Sequence, residues 1–526
     1  MKKQIILLFF LIISITYSLL AQYEDSGSRG NYFSKKKYTS VPEIIPTFKK
    51  NKAMLPSPIL DDNKDYVDLY WKAWQLAFLH FKKPPKGSPL VSNFIDEAFS
   101  PNIFQWDTFF MLMYARYAHF IFPSIQSLDN FYCRQHENGY IGREIQEVNG
   151  EDYVYEGRQN TINPPLFSWT EVEYYKITGD DSRFTSVIPA LEKYAEWLEK
   201  YRKKENTIHG LYWQTGLGSG MDNVPRGGSA WVDMSTQMVM MYNNLSFLCG
   251  KVGMKEKAVS YKGKAEDIVA RINKFMWNEE DGLYYDINDK GDQVKCKTVA
   301  CFWPMLAGIA NNDQAEKMLG NLKNPKLFWT QIPFASLSAD DKNFKPDGQY
   351  WQGGVWAPTN VEIIKGFDNY CVDTSSQHFQ YFNEFAALAS EKYLDGMYKV
   401  YKKTGTIWEN YSPEFYSRGL WSQPNFVGWS ACGPIELLIE NVLGFRPNGA
   451  NNELSWYLHR IDKHGIKNLR FGKINASIIC KSRSDVLSPS LITINTNNSF
   501  TLNVINWSGK KQTFKIHKGD NKIKVI

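Results

Sequence analysis

At 526 residues the chain is long enough for a substantial core and more than one domain, and its 43% apolar and 22% charged content is that of an ordinary globular protein. A net charge of +6, with 61 Lys and Arg against 55 Asp and Glu and no sustained basic stripe, argues against a dedicated nucleic-acid binder. The departure is aromatic: 17 Trp, 30 Tyr and 32 Phe make up 15% of the chain. Large aromatics fill helical cores, and their faces also stack on the C–H faces of sugars, so aromatic loops point to carbohydrate.

The N-terminus reads as an export signal. Lys2 and Lys3 precede an apolar run over 5–20, and Ser18-Leu19-Leu20-Ala21 places a small residue before Gln22. The run is short for a spanning helix, and no other segment reaches the ~20 apolar residues that a span needs. No cysteine follows the expected cleavage point, so a lipid anchor is not indicated. The expectation is a signal peptide over 1–21 and a soluble protein, periplasmic or secreted, with no membrane contact after cleavage. Residues 22–65 are polar and rich in Lys, Ser and Pro, which suits a linker or a strap over the main domain.

From Tyr66 onward apolar residues recur at helical spacing (Val67, Tyr70, Trp71, Trp74, Phe78, Phe81) until Pro84 ends the run. Comparable stretches at 106–122, 167–178, 185–202, 233–249, 254–277, 312–322, 359–368, 376–404 and 433–443 predict further helices. Ser235 and Gly250 offer N-cap and C-terminal chemistry for one of them. Over 66–446 nearly everything periodic has the helical period, which predicts a mainly α domain in a layered array. Four stretches repeat a turn residue, a glycine and a short aromatic run: Asn138-Gly139-Tyr140, His209-Gly210-Leu211-Tyr212, Asp281-Gly282-Leu283-Tyr284 and Asp347-Gly348-Gln349-Tyr350. Such an echo is expected of a ring of helical hairpins.

After Pro447 the composition changes to short β-rich runs at 477–480, 491–494, 501–504 and 522–526, punctuated by Asn, Gly and Ser. These predict a small antiparallel β module over 447–526 that packs on the helical domain. Seven cysteines are scattered through the chain and read as mostly buried free thiols, with a local Cys296–Cys301 pair as the alternative. No Cys/His spacing of zinc type occurs, so neither a metal nor another cofactor is expected.

The chemistry is expected in four loops. The stretch 216–228 holds five glycines and Pro225, cannot be helix interior, and carries Asp222, Asn223 and Arg226. The other three are Gln105-Trp106-Asp107, Trp351-Gln352-Gly353-Gly354-Val355-Trp356-Ala357-Pro358 and Trp408-Glu409-Asn410-Tyr411. Each has a plainer reading: an Asx turn at 222–223, a helix cap at Asp107, packing at Trp356 and a surface acid at Glu409. Arg143-Glu144, after Gly142, reads as an ion pair near the same rim. Sugar hydrolysis needs one protonated carboxyl to assist the leaving oxygen and one ionised carboxylate to activate water or attack carbon. Asp222 and Glu409 are the natural pair, each in a loop bounded by glycine or proline.

Taken in order, Trp106-Asp107, Gly220-Met221-Asp222-Asn223, the 351–358 motif, 408–411 and Gly428-Trp429-Ser430 resemble the trehalase-like glycoside hydrolases. These are families 37 and 63, with mannosylglycerate hydrolases and processing α-glucosidases among them. The resemblance runs from about residue 66 to 445. It implies an (α/α)6 barrel, or toroid, and inverting, exo-acting hydrolysis of α-glycosides, with a carbohydrate substrate as partner and the oligomeric state left open. It implies Asp222 as general acid and Glu409 as general base. It further implies Trp106, Asp107, Trp351, Gln352, Gly353, Trp356 and Trp429 as walls and hydroxyl-binding groups of the sugar site, with Gln214, Asn223 and Arg226 beside them. Inversion requires the two carboxyls to stand roughly 6.5–9.5 Å apart, whereas ~5–5.5 Å implies retention. The trehalase Gly-Gly-Arg-Phe signature is absent, and Ser100-Pro101-Asn102-Ile103-Phe104 stands in its place, which turns the expectation from strict trehalose specificity toward family 63. Two alternatives remain: a uronyl hydrolase or polysaccharide lyase on the same toroid, and a non-catalytic carbohydrate-binding protein.

Overall fold

The computed structural model describes residues 44–97, 99–153 and 161–526. The expected export signal, 1–21, and the first part of the expected strap lie outside the described residues. Helices alternate along the chain between two environments. Lys64–Ala77, Phe184–Arg202, Lys255–Phe275, Asn312–Leu322 and Phe379–Thr404 are amphipathic and sit outside. Lys255–Phe275 is the extreme case, burying only Ala265, Ile268 and Ile272, one stripe at helical spacing. By contrast, every residue of Gln105–Ala115 and of the π-helical Gly433–Val442 is buried. Lys64–Ala77 packs against both Phe379–Thr404 and Gly433–Val442, so the first and last helices of the series meet.

The inner helices share one polarity. Gln105–Ala115, Phe167–Thr178, Val232–Lys251, Ala357–Tyr370 and Gly433–Val442 each begin at, or follow, residues that line one cavity, and their later turns or the residue that follows them line a second cavity. The second, of about 780 Å³, lies between the helices and the β region. Its walls are charged and paired. Arg116 meets Glu173 at 3.1 Å, Glu436 at 3.0 Å and Glu440 at 2.6 Å, while Lys365 bonds Glu440 and Asp368, and Arg446 reaches Asp368 at 2.6 Å.

Phe167–Thr178 and Asn312–Leu322 stand where the hydrophobic period puts them. The helix expected over 106–122 ends at Ala115 and passes into a 3₁₀ turn, Arg116–Ala118. Ser235 does not cap its helix, which starts at Val232. Its hydroxyl accepts the Tyr212 N–H at 3.1 Å, and Gly250 also lies within the helix, which runs to Lys251. The four repeated turn glycines share a backbone state: Gly139, Gly210, Gly282 and Gly348 have φ of +99°, +56°, +64° and +90°. Glycine enters that region without steric penalty, which is why one occupies each turn.

The C-terminal region is more elaborate than a small antiparallel module. One sheet orders Ser57–Leu60, His464–Phe471, Ile474–Cys480, Ser490–Thr496 and Gly519–Val525, all antiparallel. The second orders Phe445–Asn448, Glu453–Leu458, Phe500–Asn506 and Lys511–Ile516, and its two central strands run parallel, which corrects the expectation. Part of the strap is a strand: residues 57–60 form an edge of the first sheet, where Pro58 is tolerated because an edge strand can lack one donor. All seven cysteines are free thiols, Cys296 and Cys301 among them. No helix among the described residues is long and apolar enough to cross a membrane.

Candidate active site

A cavity of about 300 Å³ opens at the N-terminal ends of the inner helices, lined by Trp106, Asp107, Asp222, Trp351, Glu409 and Trp429 together with Arg143 and Tyr350. Four stretches far apart in sequence thus meet in one place, and six of the expected site residues line it. Its inner wall is indole and carboxyl, with Trp106, Asp107, Trp351, Glu409 and Trp429 all 5% exposed or less.

Asp222 is positioned by its own loop. Gly220 adopts φ +74°, and a Cβ there would meet the Trp106 indole at 3.1 Å, so the loop passes as close to the ring as glycine allows. Asn223 stitches the loop to the next one: its carboxamide accepts the Trp351 N–H at 2.8 Å and donates to the Gln349 carbonyl at 3.1 Å. Arg226 anchors the other end, forking onto Asp233 (2.5 and 3.0 Å) and Asp286 (2.9 and 2.7 Å) with Trp231 4.2 Å from the guanidinium. Its side chain is 1% exposed, so it clamps the loop onto the start of Val232–Lys251.

Glu409 is held by main chain. Its N–H donates to the Gln423 carbonyl, and its Oε2 accepts the Gln423 N–H, both at 3.0 Å. Its carbonyl takes the Trp429 indole N–H at 2.8 Å and the Ser430 hydroxyl at 3.1 Å, which ties two cavity residues to each other. Trp351 stacks on Trp356 at 4.1 Å with planes 5° apart, and Trp356 meets Trp429 edge-on at 5.6 Å. Trp356 is fully buried and backs these walls from outside the cavity lining. Three more expected residues also stand behind it. Gln352 supports the turn through its main-chain carbonyl, which accepts the Lys345 N–H at 2.8 Å. Gly353 packs where a Cβ would lie 2.9 Å from the Lys345 carbonyl oxygen and from the Phe344 ring. Gln214 is buried, accepts the Thr215 N–H at 2.9 Å and fills the space beside Gly218.

Burial raises the carboxyls. The Glu409 carboxyl is pushed up to about 7, mainly by desolvation, with the Gln423 N–H opposing and the Asp222 charge adding. Asp222 is raised by burial against the opposing Arg143 guanidinium, whose Nη2 lies 3.8 Å from Asp222 Oδ1. Asp107, in the first turn of its helix with no cap bond, is raised well above its usual range by burial and then by Glu409. Further back, Glu97 is fully buried with neither oxygen hydrogen-bonded and is raised well above its usual range by burial, Asp96 and Asp107.

Several cavity residues carry little signal in the sequence. Arg143 is the exception: it pairs with Glu144 at 2.7 Å on the cavity wall, as expected of an ion pair near the rim. Tyr350, with φ +65°, belongs to a turn that reads as architecture. Phe99 and Tyr153 are single aromatics in loops, and Phe104 ends the short strand Asn102–Phe104.

The mannosylglycerate hydrolase MGH1-like glycoside hydrolase domain model matches residues 100–423. An uncharacterized protein of Borreliella burgdorferi is 28% identical over 440 residues, 82% of this chain and 90% of that protein. A probable mannosyl-oligosaccharide glucosidase of Schizosaccharomyces pombe is 21% identical over 65% of this chain, which spans 50% of its length. Among solved structures, the family 63 mannosylglycerate hydrolase of Thermus thermophilus in complex with glucose superposes with a TM-score of 0.53 at 19% identity, covering 70% of this chain and 99% of that one, a likeness of fold. The matched domain takes in Asp222, Glu409 and the indoles between them, and the chain belongs to the mannosylglycerate hydrolase MGH1-like family: it is a glycoside hydrolase of the family 63 and trehalase-like kind.

Proposed function

We propose that the protein is an inverting, exo-acting α-glycosidase with Asp222 as general acid and Glu409 as general base. The observation that carries this reading is the single cavity in which two loop carboxyls face a sugar-sized space walled by Trp106, Trp351 and Trp429. Asp222, whose carboxyl burial raises, gives a proton to the glycosidic oxygen. Glu409, oriented by the Gln423 N–H, accepts a proton from the water that attacks the anomeric carbon on the opposite face. Asp107 and the indoles bind the sugar, while Asn223, Arg226 and Gln352 hold the loops in register. A buried inner end and one open mouth suit removal of a terminal sugar. We further read the alternating inner and outer helices as an (α/α)6 toroid over 66–446, and the Lys2-Lys3 and apolar opening of the chain as export to the periplasm or beyond.

The relatives named for mannosylglycerate, trehalose and glucosylated mannosyl-oligosaccharides frame the substrate panel: α-glucosides and α-mannosides with different leaving groups. Wild type is expected to release free glucose or mannose from at least one of them, with Asp222→Asn and Glu409→Gln inactive on the same compound. A folded protein inert toward the entire panel contradicts the assignment.

A further inference from the structure

We propose that the mouth of the cavity is a platform for the ring of the leaving group, so the enzyme is built for α-glycosides whose aglycone is itself a sugar or aryl ring. The proposal rests on Asp222 being the proton donor. Along the cavity, exposure runs from one end to the other. Glu409 and Trp351, at 3% and 1%, mark the closed end, and Phe99 and Tyr153, at 48% and 45%, line the same cavity at the open end. The Asp222 side chain, 27% exposed, lies between these extremes. A general acid touches the glycosidic oxygen, so the bond to be cut sits at Asp222. With the sugar ring against the closed indole end, the leaving group extends past Asp222 toward Phe99 and Tyr153.

Phe99 is held in place for such a contact. Its ring stacks on Phe426 at 5.6 Å and leans on Phe104 at 5.7 Å, and Phe104 also lines the cavity. Little rotamer freedom is then lost when a ring settles on it. A half-exposed phenyl at the mouth of a cavity is apolar surface that a ligand's C–H face covers, whereas hydroxyl groups of a small open-chain aglycone find no flat partner there. Arg143, 5.5 Å from the Phe104 ring centre, supplies a donor beside the platform for a ring hydroxyl.

The test compares leaving groups on one sugar. Phe99→Ala and Tyr153→Ala, with Phe99→Leu and Tyr153→Phe as conservative partners, are assayed on the α-glycosyl fluorides of glucose and mannose, which have no aglycone ring, and on the corresponding disaccharides and nitrophenyl α-glycosides. The expected result is a roughly tenfold fall in the ratio of kcat/KM for ring aglycones to kcat/KM for the fluoride in the alanine variants, carried by KM and absent in Tyr153→Phe. An unaltered ratio in variants that still hydrolyse the fluoride overturns the platform and leaves the hydrolase reading intact. Failure of folded wild type on both fluorides and on every glycoside overturns the hydrolase reading and the platform with it. Phe99→Leu keeps the apolar contact with Phe426 and loses the flat face, so a ratio equal to wild type in that variant also counts against the platform.

Discussion

The two ends of the inner helices solve opposite electrostatic problems. At the end that meets the β region, in the larger cavity, acids are matched with cations: Arg116 with Glu173, Glu436 and Glu440, and Lys365 and Arg446 with Asp368. The Glu440 carboxyl is accordingly held down to about 2, while Glu436, which shares Arg116 but not Lys365, is pushed up to about 7 by burial. At the other end, in less than half the volume, acids are left short of partners. Both Glu97 oxygens and Asp107 Oδ1 are buried without a hydrogen bond, Asp222 has Arg143 only at 3.8 Å, and Glu409 rises to about 7. Burial raises a carboxyl and a close cation lowers it, so Glu440, between Arg116 and Lys365, stays charged, whereas Glu409, with no cation in contact, rises.

The comparison breaks most sharply if the unpaired end is dispensable. Asp222→Asn and Glu409→Gln are each expected to lower kcat by roughly 10²–10⁴-fold with the fold retained, measured by turnover beside circular dichroism. The paired end should behave in the opposite sense. Arg116→Met leaves Glu436 and Glu440 buried without their shared cation and is expected to cost about 3–5 kcal/mol, read as a fall in Tm, while kcat/KM of the folded protein stays near wild type.

A pH experiment sharpens the contrast. Because folding raises the Glu409 carboxyl from the usual carboxylate range to about 7, the folded state binds that proton more tightly than the unfolded chain. Stability from this group is present below the usual range and is lost as pH rises through 7, a change of about 3 kcal/mol. Glu409→Gln removes that dependence, so its Tm should exceed that of wild type at pH 8 and match it near pH 4. In wild type, kcat/KM should rise as pH climbs through about 7, where Glu409 becomes the ionised base. Equal Tm differences at both pH values would remove the basis for the raised carboxyl. The smallest expected effect belongs to Gly220→Ala, which combines left-handed backbone with a Cβ pressed on Trp106. Roughly 1–2 kcal/mol of strain should appear as lower kcat/KM with a modest change in Tm.

How much of this is legible in the sequence follows the same division. Outer helices announce themselves through one apolar stripe, as Asn312–Leu322 does. Gln105–Ala115 is buried on every side, so no stripe marks its end and the expected helix overruns Ala115, whereas the inner helix Phe167–Thr178 is placed by its period. The strands are partly hidden because exposed edges are Lys- and Asn-rich and because Ser57–Leu60 joins a sheet formed by the other end of the chain. Acids in Gly- and Trp-rich loops stand out as Asp222 and Glu409. Arg226 is misplaced by sequence reasoning because an arginine in a glycine-rich loop is equally able to bind a ligand or clamp the chain, and only the fold brings Asp286 to it across 60 residues. Phe99, Tyr153 and Tyr350 belong to the cavity through tertiary placement alone.

The central claim is that Asp222 and Glu409 act on opposite faces of the anomeric carbon, one as acid and one as base. The direct measurement is proton NMR of the first product formed from an α-glycoside that wild type hydrolyses, before mutarotation. The β-anomer is expected first, with loss of that signal in both Asp222→Asn and Glu409→Gln. The α-anomer first would mean retention through a covalent intermediate and would contradict it.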